Sequence, residues 1–503
     1  MTAGPHKLRR LGEYLLLVGL PVAALILILR AGSAMHPAVP AGLATGGANA
    51  ANASPEVVLR LPVFLAQIAI ILGVARVLGA ALRRFGQPQV VGEMLAGIVL
   101  GPSLLGWAFP GAYALLFPIG SVRFVGAVSQ LGLMLFMFLV GLEMRLEDLR
   151  GNGHAAVLTS HASIIAPMVL GGALALVAYP LAAPPNVGFV PFALFLGAAM
   201  SVTAFPVLAR LLAERGLRHT RLGALTLAAA AIDDVTAWCI LAAVVGLARA
   251  STTGASPLLV LGGASLFVLV MMTTVRPILA WAATRRREDG RLSHDTLAAL
   301  VIVVLASAWV TQRIGVHALF GAFVAGVVMP KDARFMTEVT SRFEDLLFVV
   351  LLPLFFAATG VRTSIAQLGD AALWGLFGLV MLVAIVGKIG GSALAARVAG
   401  LCWSDATMLG VLMNTRGLMG LVILNVGMEI GVMTPALYAM MVLMAIATTC
   451  MTTPLLRAIE LARGPSRSPA TLGMMERRSS QIAHRGRRGQ RPLQPPVPPA
   501  STP

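Results

Sequence analysis

The sequence predicts an all-α, polytopic membrane protein, and three observations carry that prediction. The chain has 503 residues, of which 58% are hydrophobic and only 12% charged, where a soluble chain would carry about 25% charge. Mean hydropathy is +0.86. Apolar runs of about 17–25 residues recur from end to end, each long enough to cross a hydrocarbon core of about 30 Å. A transmembrane barrel would need short alternating segments instead.

The first apolar segment covers about residues 14–29. It follows Lys7, Arg9 and Arg10 and precedes a stretch of small residues, a layout shared with signal peptides. Glu13 interrupts the apolar start, and an Ala/Gly/Pro/Asn loop follows to Pro55, which favours a retained extra helix. Residues 1–56 thus form an N-terminal helix and loop. Thirteen further segments are expected at about 57–79, 88–105, 123–142, 155–180, 190–212, 222–248, 257–282, 295–311, 315–329, 345–361, 371–399, 406–428 and 435–456. Residues 457–503 read as a basic, Pro/Arg-rich disordered tail.

Charge in the loops orients the chain. Arg83 and Arg84, Arg145 and Arg150, Arg215, Arg218 and Arg221, Arg285, Arg286, Arg287 and Arg291, Lys331, Arg334 and Arg342, and the tail alternate onto one side. Loops 31–56, 106–120 and 181–189 carry almost no basic residue. The basic side, with the C-terminus, is expected to be cytoplasmic, in a multi-pass cell (inner) membrane protein. Of the net charge of +17, nine arginines against Glu460 and Glu476 place +7 in residues 457–503. Positive charge so distributed points to anionic lipid as a partner and not to nucleic acid. Cys239, Cys402 and Cys450 have no metal-ligand spacing and form no disulfide framework.

Two segments are not simple spans. In 190–212, Ser201, Thr203 and Pro206 crowd the middle, and proline cannot donate a backbone hydrogen bond. In 406–428, Asn414, Thr415, Arg416, Gly417 and Gly420 lie at mid-depth. Irregular backbone at membrane depth is tolerated where it is buried in protein or lines a cavity. A pair of interrupted helices in corresponding halves points to an inverted-repeat transporter with a midplane site. The bland alternative is serine and threonine bonding back to their own helix around a simple kink.

Asp233 and Asp234 stand side by side in the apolar segment 222–248. One carboxylate at that depth costs about 2.5–3.5 kcal/mol, and two adjacent ones resist ionising together. Lys388, one of only three lysines, lies deep in 371–399. Arg397 is nearer that helix's end and better placed to snorkel. Adjacent helical residues point about 100° apart, so one aspartate can pair with Lys388 while the other faces a cavity. A carboxylate, hydroxyls and unwound carbonyls are the oxygen ligands a hard monovalent cation wants. Asp234, Asp233 and Thr203 are the expected cation ligands, with protons competing for the carboxylates. Glu93 is expected to be structural or interfacial, Glu143, Glu147 and Asp148 solvated, and His161 and His317 hydrogen-bonded. No cofactor is called for beyond the transported Na+ or K+ and H+.

Seven motifs together resemble the monovalent cation:proton antiporter 2 superfamily, with its sodium/hydrogen exchanger-like fold. They are GEMLAGIVLGPSLLG from Gly92, LGLMLFMFLVGLEM from Leu131, SVTAFPVLARLLAERG from Ser201, AIDDVTAW from Ala231, FGAFVAGVVMPK from Phe320, LPLFFAATGVRT from Leu352 and NTRGLMGLVILNVG from Asn414. The likeness covers about residues 57–456, and the last three motifs are most similar to the plant cation/proton exchanger branch. It implies a homodimer in which a core subdomain moves against a dimerisation subdomain. It implies that Asp234 binds the ion, that Asp233 pairs with Lys388 as in the two-aspartate, charge-moving members, and that Ser201 and Thr203 face Asn414, Thr415 and Arg416 across two crossing broken helices. Many relatives carry Asn or Gln at the place of Asp233 and are considered electroneutral or potassium-handling. Potassium-efflux relatives also carry a nucleotide-binding domain, of which the tail shows no Gly-rich phosphate loop. The expected function is antiport of Na+ or K+ against protons. The alternative on the same fold is a proton-coupled exporter of an organic solute. An intramembrane aspartyl protease would want its two carboxylates on different helices, and a passive channel would not need the titratable lysine.

Overall fold

The computed structural model describes residues 5–35, 60–118, 120–143, 153–217, 220–253, 257–285 and 293–463. The expectations for Glu147 and Asp148, for the loop at 36–56 and for the tail beyond residue 463 lie outside the described residues. Among the described residues every regular element is helical. Eleven helices there are long and apolar enough to cross a membrane.

In chain order the helices are α1 (Arg10–Gly32), α2 (Leu61–Arg84), α3 (Gln89–Ala108), α4 (Val122–Glu143) and α5 (His154–Ala182). Then come the short α6 (Phe189–Ser201) and α7 (Phe205–Glu214). They are followed by α8 (Arg221–Ala248), α9 (Gly262–Ala280) and α10 (His294–Ile314), and by the short α11 (Ala318–Val328). α12 runs from Ala333–Leu346 through a π turn, Leu347–Leu351, into Leu352–Val361. α13 is Ala371–Val398. The short α14 (Trp403–Met413) and α15 (Leu418–Glu429) precede α16 (Pro435–Ala462).

Local chemistry sets several ends. The Ser293 hydroxyl accepts the Thr296 N–H at the start of α10, and Gly315, at φ 101°, ends it in the left-handed region. Asp332 accepts the N–H groups of Arg334 and Phe335 at the start of α12. The expected segment at 345–361 therefore begins about a dozen residues early. Its first part, ARFMTEVTSRFEDL, is too charged to register as apolar, yet it is capped and helical. The expected tail is likewise corrected at its start, because residues 457–463 continue the last helix. Glu460 in that extension pairs with Arg215 at 3.1 Å.

The N-terminal helix α1 lies against α5 and is tied to it near the basic end. The Tyr14 hydroxyl is 3.3 Å from His161 Nδ1, and Glu13 is 3.4 Å from His154. Within lipid, helices associate by close packing and interhelical hydrogen bonds, with small residues admitting the backbones. α13 meets α5 in this way: a Cβ on Gly387 would lie 3.0 Å from Pro167 Cα, and one on Gly391 would lie 2.6 Å from Ala166 Cβ. At that contact α13 widens into a π turn, Val386–Gly390, which contains Lys388. Such single wide turns recur at functional sites because they re-aim one side chain.

Candidate functional site

α6 stops at Ser201, Val202 is extended, and helix resumes at Phe205. An unbroken helix would need Pro206 to donate to the Val202 carbonyl, which proline cannot do. The second break lies between Met413 and Leu418. The two breaks meet: the Ala204 N–H donates to the Thr415 carbonyl at 3.0 Å, and the Thr203 hydroxyl to the Met413 carbonyl at 3.2 Å.

A helix that stops inside a membrane leaves carbonyls without partners. At the end of α6 two cations take them. Arg416 donates from Nη1 to the Ala199 carbonyl at 3.1 Å and from Nη2 to the Met200 carbonyl at 2.6 Å. Lys388 Nζ donates to the next carbonyl, Ser201. Both cations sit at the negative end of the α6 dipole, where positive charge is stabilised. The Ser201 hydroxyl turns away, to the carbonyls of Gly197 and Ile164. Thr415 bonds back to the Leu412 carbonyl. Asn414 is 1% exposed, and neither of its amide atoms has a hydrogen-bond partner.

The two aspartates have opposite surroundings. Asp233 Oδ2 accepts from Thr203 at 2.6 Å, from Lys388 at 2.9 Å and from Ser163 at 3.4 Å, while Oδ1 accepts from Ser160 at 3.1 Å. Lys388 gives its three donors to Asp233, to the Ser201 carbonyl and to the Ser163 carbonyl, the last at 3.1 Å. An ammonium has three donors and no more, so the lysine is saturated. The pair is fully enclosed, at 0% exposure for Lys388 and 1% for Asp233. Asp234, one residue on and equally buried, has no hydrogen-bond partner on either carboxylate oxygen.

The structure thus brings Asp233, Lys388, Ser201 and Thr203 into one bonded cluster, with Arg416 on the adjacent carbonyls of α6 and Asn414 and Thr415 on the second break. Ser160 and Ser163 were not singled out from the sequence. Their signal is the polar run Thr159-Ser160-His161-Ala162-Ser163 inside an apolar segment, with the two serines three apart on one helix face. Glu93 is buried and accepts from Gln89, one turn before it on its own helix. Lys331 donates to the carbonyls of Gly141, Leu142 and Gly326, tying the ends of α4 and α11 together. His317 caps α11 by accepting the Leu319 N–H, and it lies 3.4 Å from Glu429.

The sequence profile of the transmembrane sodium/hydrogen exchanger family matches residues 68–458, spanning every element of this cluster. The chain belongs to that family. It is 43% identical over 397 residues to the Na+/H+ antiporter NhaS4 of Synechocystis, covering 78% of this chain and 96% of that protein. It is 40% identical over 421 residues to cation/H+ antiporter 20 of Arabidopsis thaliana, covering 81% of this chain; the chain spans about half, 49%, of that longer relative. The solved structure of the sodium proton antiporter MjNhaP1 from Methanocaldococcus jannaschii superposes with a TM-score of 0.57. That likeness covers 80% of this chain and 97% of the other at 15% identity, and it concerns the fold.

Proposed function

We propose that this sodium/hydrogen exchanger family member exchanges a monovalent cation, Na+ or K+, for protons, with Asp234 as the exchanging group. The observation that carries the reading is the contrast between the two aspartates: Asp233 is saturated with donors, and Asp234 is buried with none. A buried carboxylate left without partners is costly unless something occupies it. A proton neutralises it, and a cation pairs with it, but not both at once. Break carbonyls, the Asn414 amide oxygen and Thr203 are the oxygens proposed to complete the cation's shell, while Asp233 stays bonded to Lys388 and contributes its charge. The names of the relatives, both cation/proton antiporters, support the same class of cargo.

In this reading the thirteen segments after α1 form an inverted-repeat core in which α6–α7 and α14–α15 are the two crossing broken elements. The arginine-rich turns and the C-terminus face the cytoplasm, the protein resides in the cell membrane, and it works as a homodimer. The cycle presents the break region to one side at a time. The test is purified protein in proteoliposomes with a pH-sensitive dye, comparing Na+, K+ and Li+. Proton movement that requires one of these cations is expected, and Asp234→Asn is expected to abolish it. Cation-dependent proton movement at the wild-type rate by Asp234→Asn would overturn the assignment.

A further inference from the structure

α15 carries the chain from the second break to the end of the bundle opposite the arginine-rich turns. Its last residue, Glu429, lies roughly 16 Å along the helix from Leu418 at 1.5 Å per residue. Near that end Asn425 and Glu429 reach across to four other elements, α16 through Tyr438 among them. Gln130 of α4 donates to Glu429 at 2.5 Å, and His317, at the start of α11, is 3.4 Å from the other Glu429 oxygen. Arg362, just past α12, donates to Asn425 at 3.4 Å. All five side chains line one cavity of about 30 Å³, roughly the room of one or two waters. Three of the family-like motifs meet here, through His317 beside FGAFVAGVVMPK, Arg362 in LPLFFAATGVRT and Asn425 in NTRGLMGLVILNVG. None of these residues belongs to the Asp233–Asp234 cluster.

The character of these contacts differs from that of the buried cluster. Two of these three are long, and the Glu429 side chain is 36% exposed, so water can replace its partners as they leave; His317 is 11% exposed, and Asn425 is held besides by Thr359 of α12 at 2.9 Å and Tyr438 of α16 at 3.2 Å. Polar links at the water-exposed Gln130, Arg362 and Glu429 hold weakly and remake readily. They also all join α15, the half-helix that leaves the break, to helices of other segments. Buried close packing would resist separation of those helices, whereas hydrated polar links permit it.

We propose that Gln130, His317 and Arg362 on one side, and Asn425 and Glu429 on the other, form the gate of the mouth opposite the basic turns, closed in this structure. The gate parts when Asp234 communicates with that side. The inference rests on the exchange reading above, and the experiment separates the two. In a chain with Cys239, Cys402 and Cys450 replaced by Ala, Gln130→Cys and Glu429→Cys are introduced together and bridged by a short bifunctional thiosulfonate reagent. Bridging is expected to lower exchange at least tenfold, and reduction of the bridge to restore it. Each single-cysteine variant treated alike should keep its rate. Full transport by the bridged protein would overturn the gate. No cation-dependent proton movement in the unbridged chain would overturn the exchange reading instead. A second readout needs no transport: spin labels at the same two positions should show two separations whose populations shift with pH and cation. A single separation under all conditions would overturn the gate.

Discussion

Breaking the buried ion pair by one partner should cost far more than removing both. Lys388→Met keeps most of the apolar stem but leaves the Asp233 carboxylate, 1% exposed, with three hydroxyl donors and no countercharge. Stranding one charge of a buried pair costs about 3–5 kcal/mol. The Ser163 and Ser201 carbonyls lose the same donor, and a buried group left unpaired costs about 1–3 kcal/mol. Asp233→Asn strands the opposite charge and should cost about 3–5 kcal/mol by the same reasoning. The double variant strands neither. Its loss should therefore fall well short of the summed single losses, with a coupling energy near the upper end of the usual 0.5–3 kcal/mol range. The assay is reversible unfolding of the detergent-solubilised protein by titration with a denaturing detergent, on wild type, both single variants and the double. Losses that add to within about 0.5 kcal/mol would refute a tight buried pair. None of the three variants is expected to recover normal exchange.

Asp234→Asn should behave in the opposite way in that unfolding assay, with stability unchanged or raised, because the substitution removes a buried charge that holds no hydrogen bond. Ser160→Ala should destabilise by about 1.5–3 kcal/mol, the worth of a hydrogen bond to a charged group. Ser163→Ala should cost less, because Oδ2 keeps two other donors while Oδ1 has Ser160 alone. Protons and cations competing for one carboxylate predict a cation KM that rises about tenfold per pH unit below the carboxylate's pKa. The maximal rate should hold constant over that range, as initial rates in proteoliposomes would check.

The sequence exposed what depends on single residues and concealed what depends on packing. Pro206 removes one helical hydrogen bond by its covalent structure, so the first break was legible without coordinates. Asp233, Asp234 and Lys388 stood out because charge in an apolar run is costly wherever the run folds. Which aspartate meets the lysine came from the family resemblance and not from the residues themselves, since it turns on the rotation of α8 against α5 and α13; the structure pairs Asp233 with Lys388. The π turn at Lys388 coincides with the close approach of α13 to Pro167 and was likewise not legible in the residues. Ser160 and Ser163 carry no signal as strong as a charge, because serine in an apolar helix usually bonds back to its own turn. Only the neighbouring carboxylate distinguishes these two. Residues 333–346 and 457–463 show the converse limit: both are helical, yet their charge hides them from any reading by hydropathy.

The bonding of Asp233 also bears on how much charge one cycle moves. Among the described side chains, the charged groups buried at the breaks are Asp233, Asp234, Lys388 and Arg416. With Asp234 ionised their formal charges cancel, and either a proton or a monovalent cation on Asp234 raises the sum by one. The proton-loaded and cation-loaded forms then carry equal charge across the membrane, and exchange at Asp234 alone is one for one. A second proton would require Asp233 to give up Lys388, Thr203, Ser160 and Ser163 together. Electroneutral exchange is therefore expected, despite the paired aspartates. Each elementary charge moved through 100 mV is worth about 2.3 kcal/mol, which is roughly a fiftyfold change in the cation gradient at balance. Proteoliposomes held at 0 and 100 mV should reach the same gradient for a given pH difference. A displacement of about fiftyfold would mean that Asp233 leaves its four donors during the cycle, and would refute its role as a fixed charge.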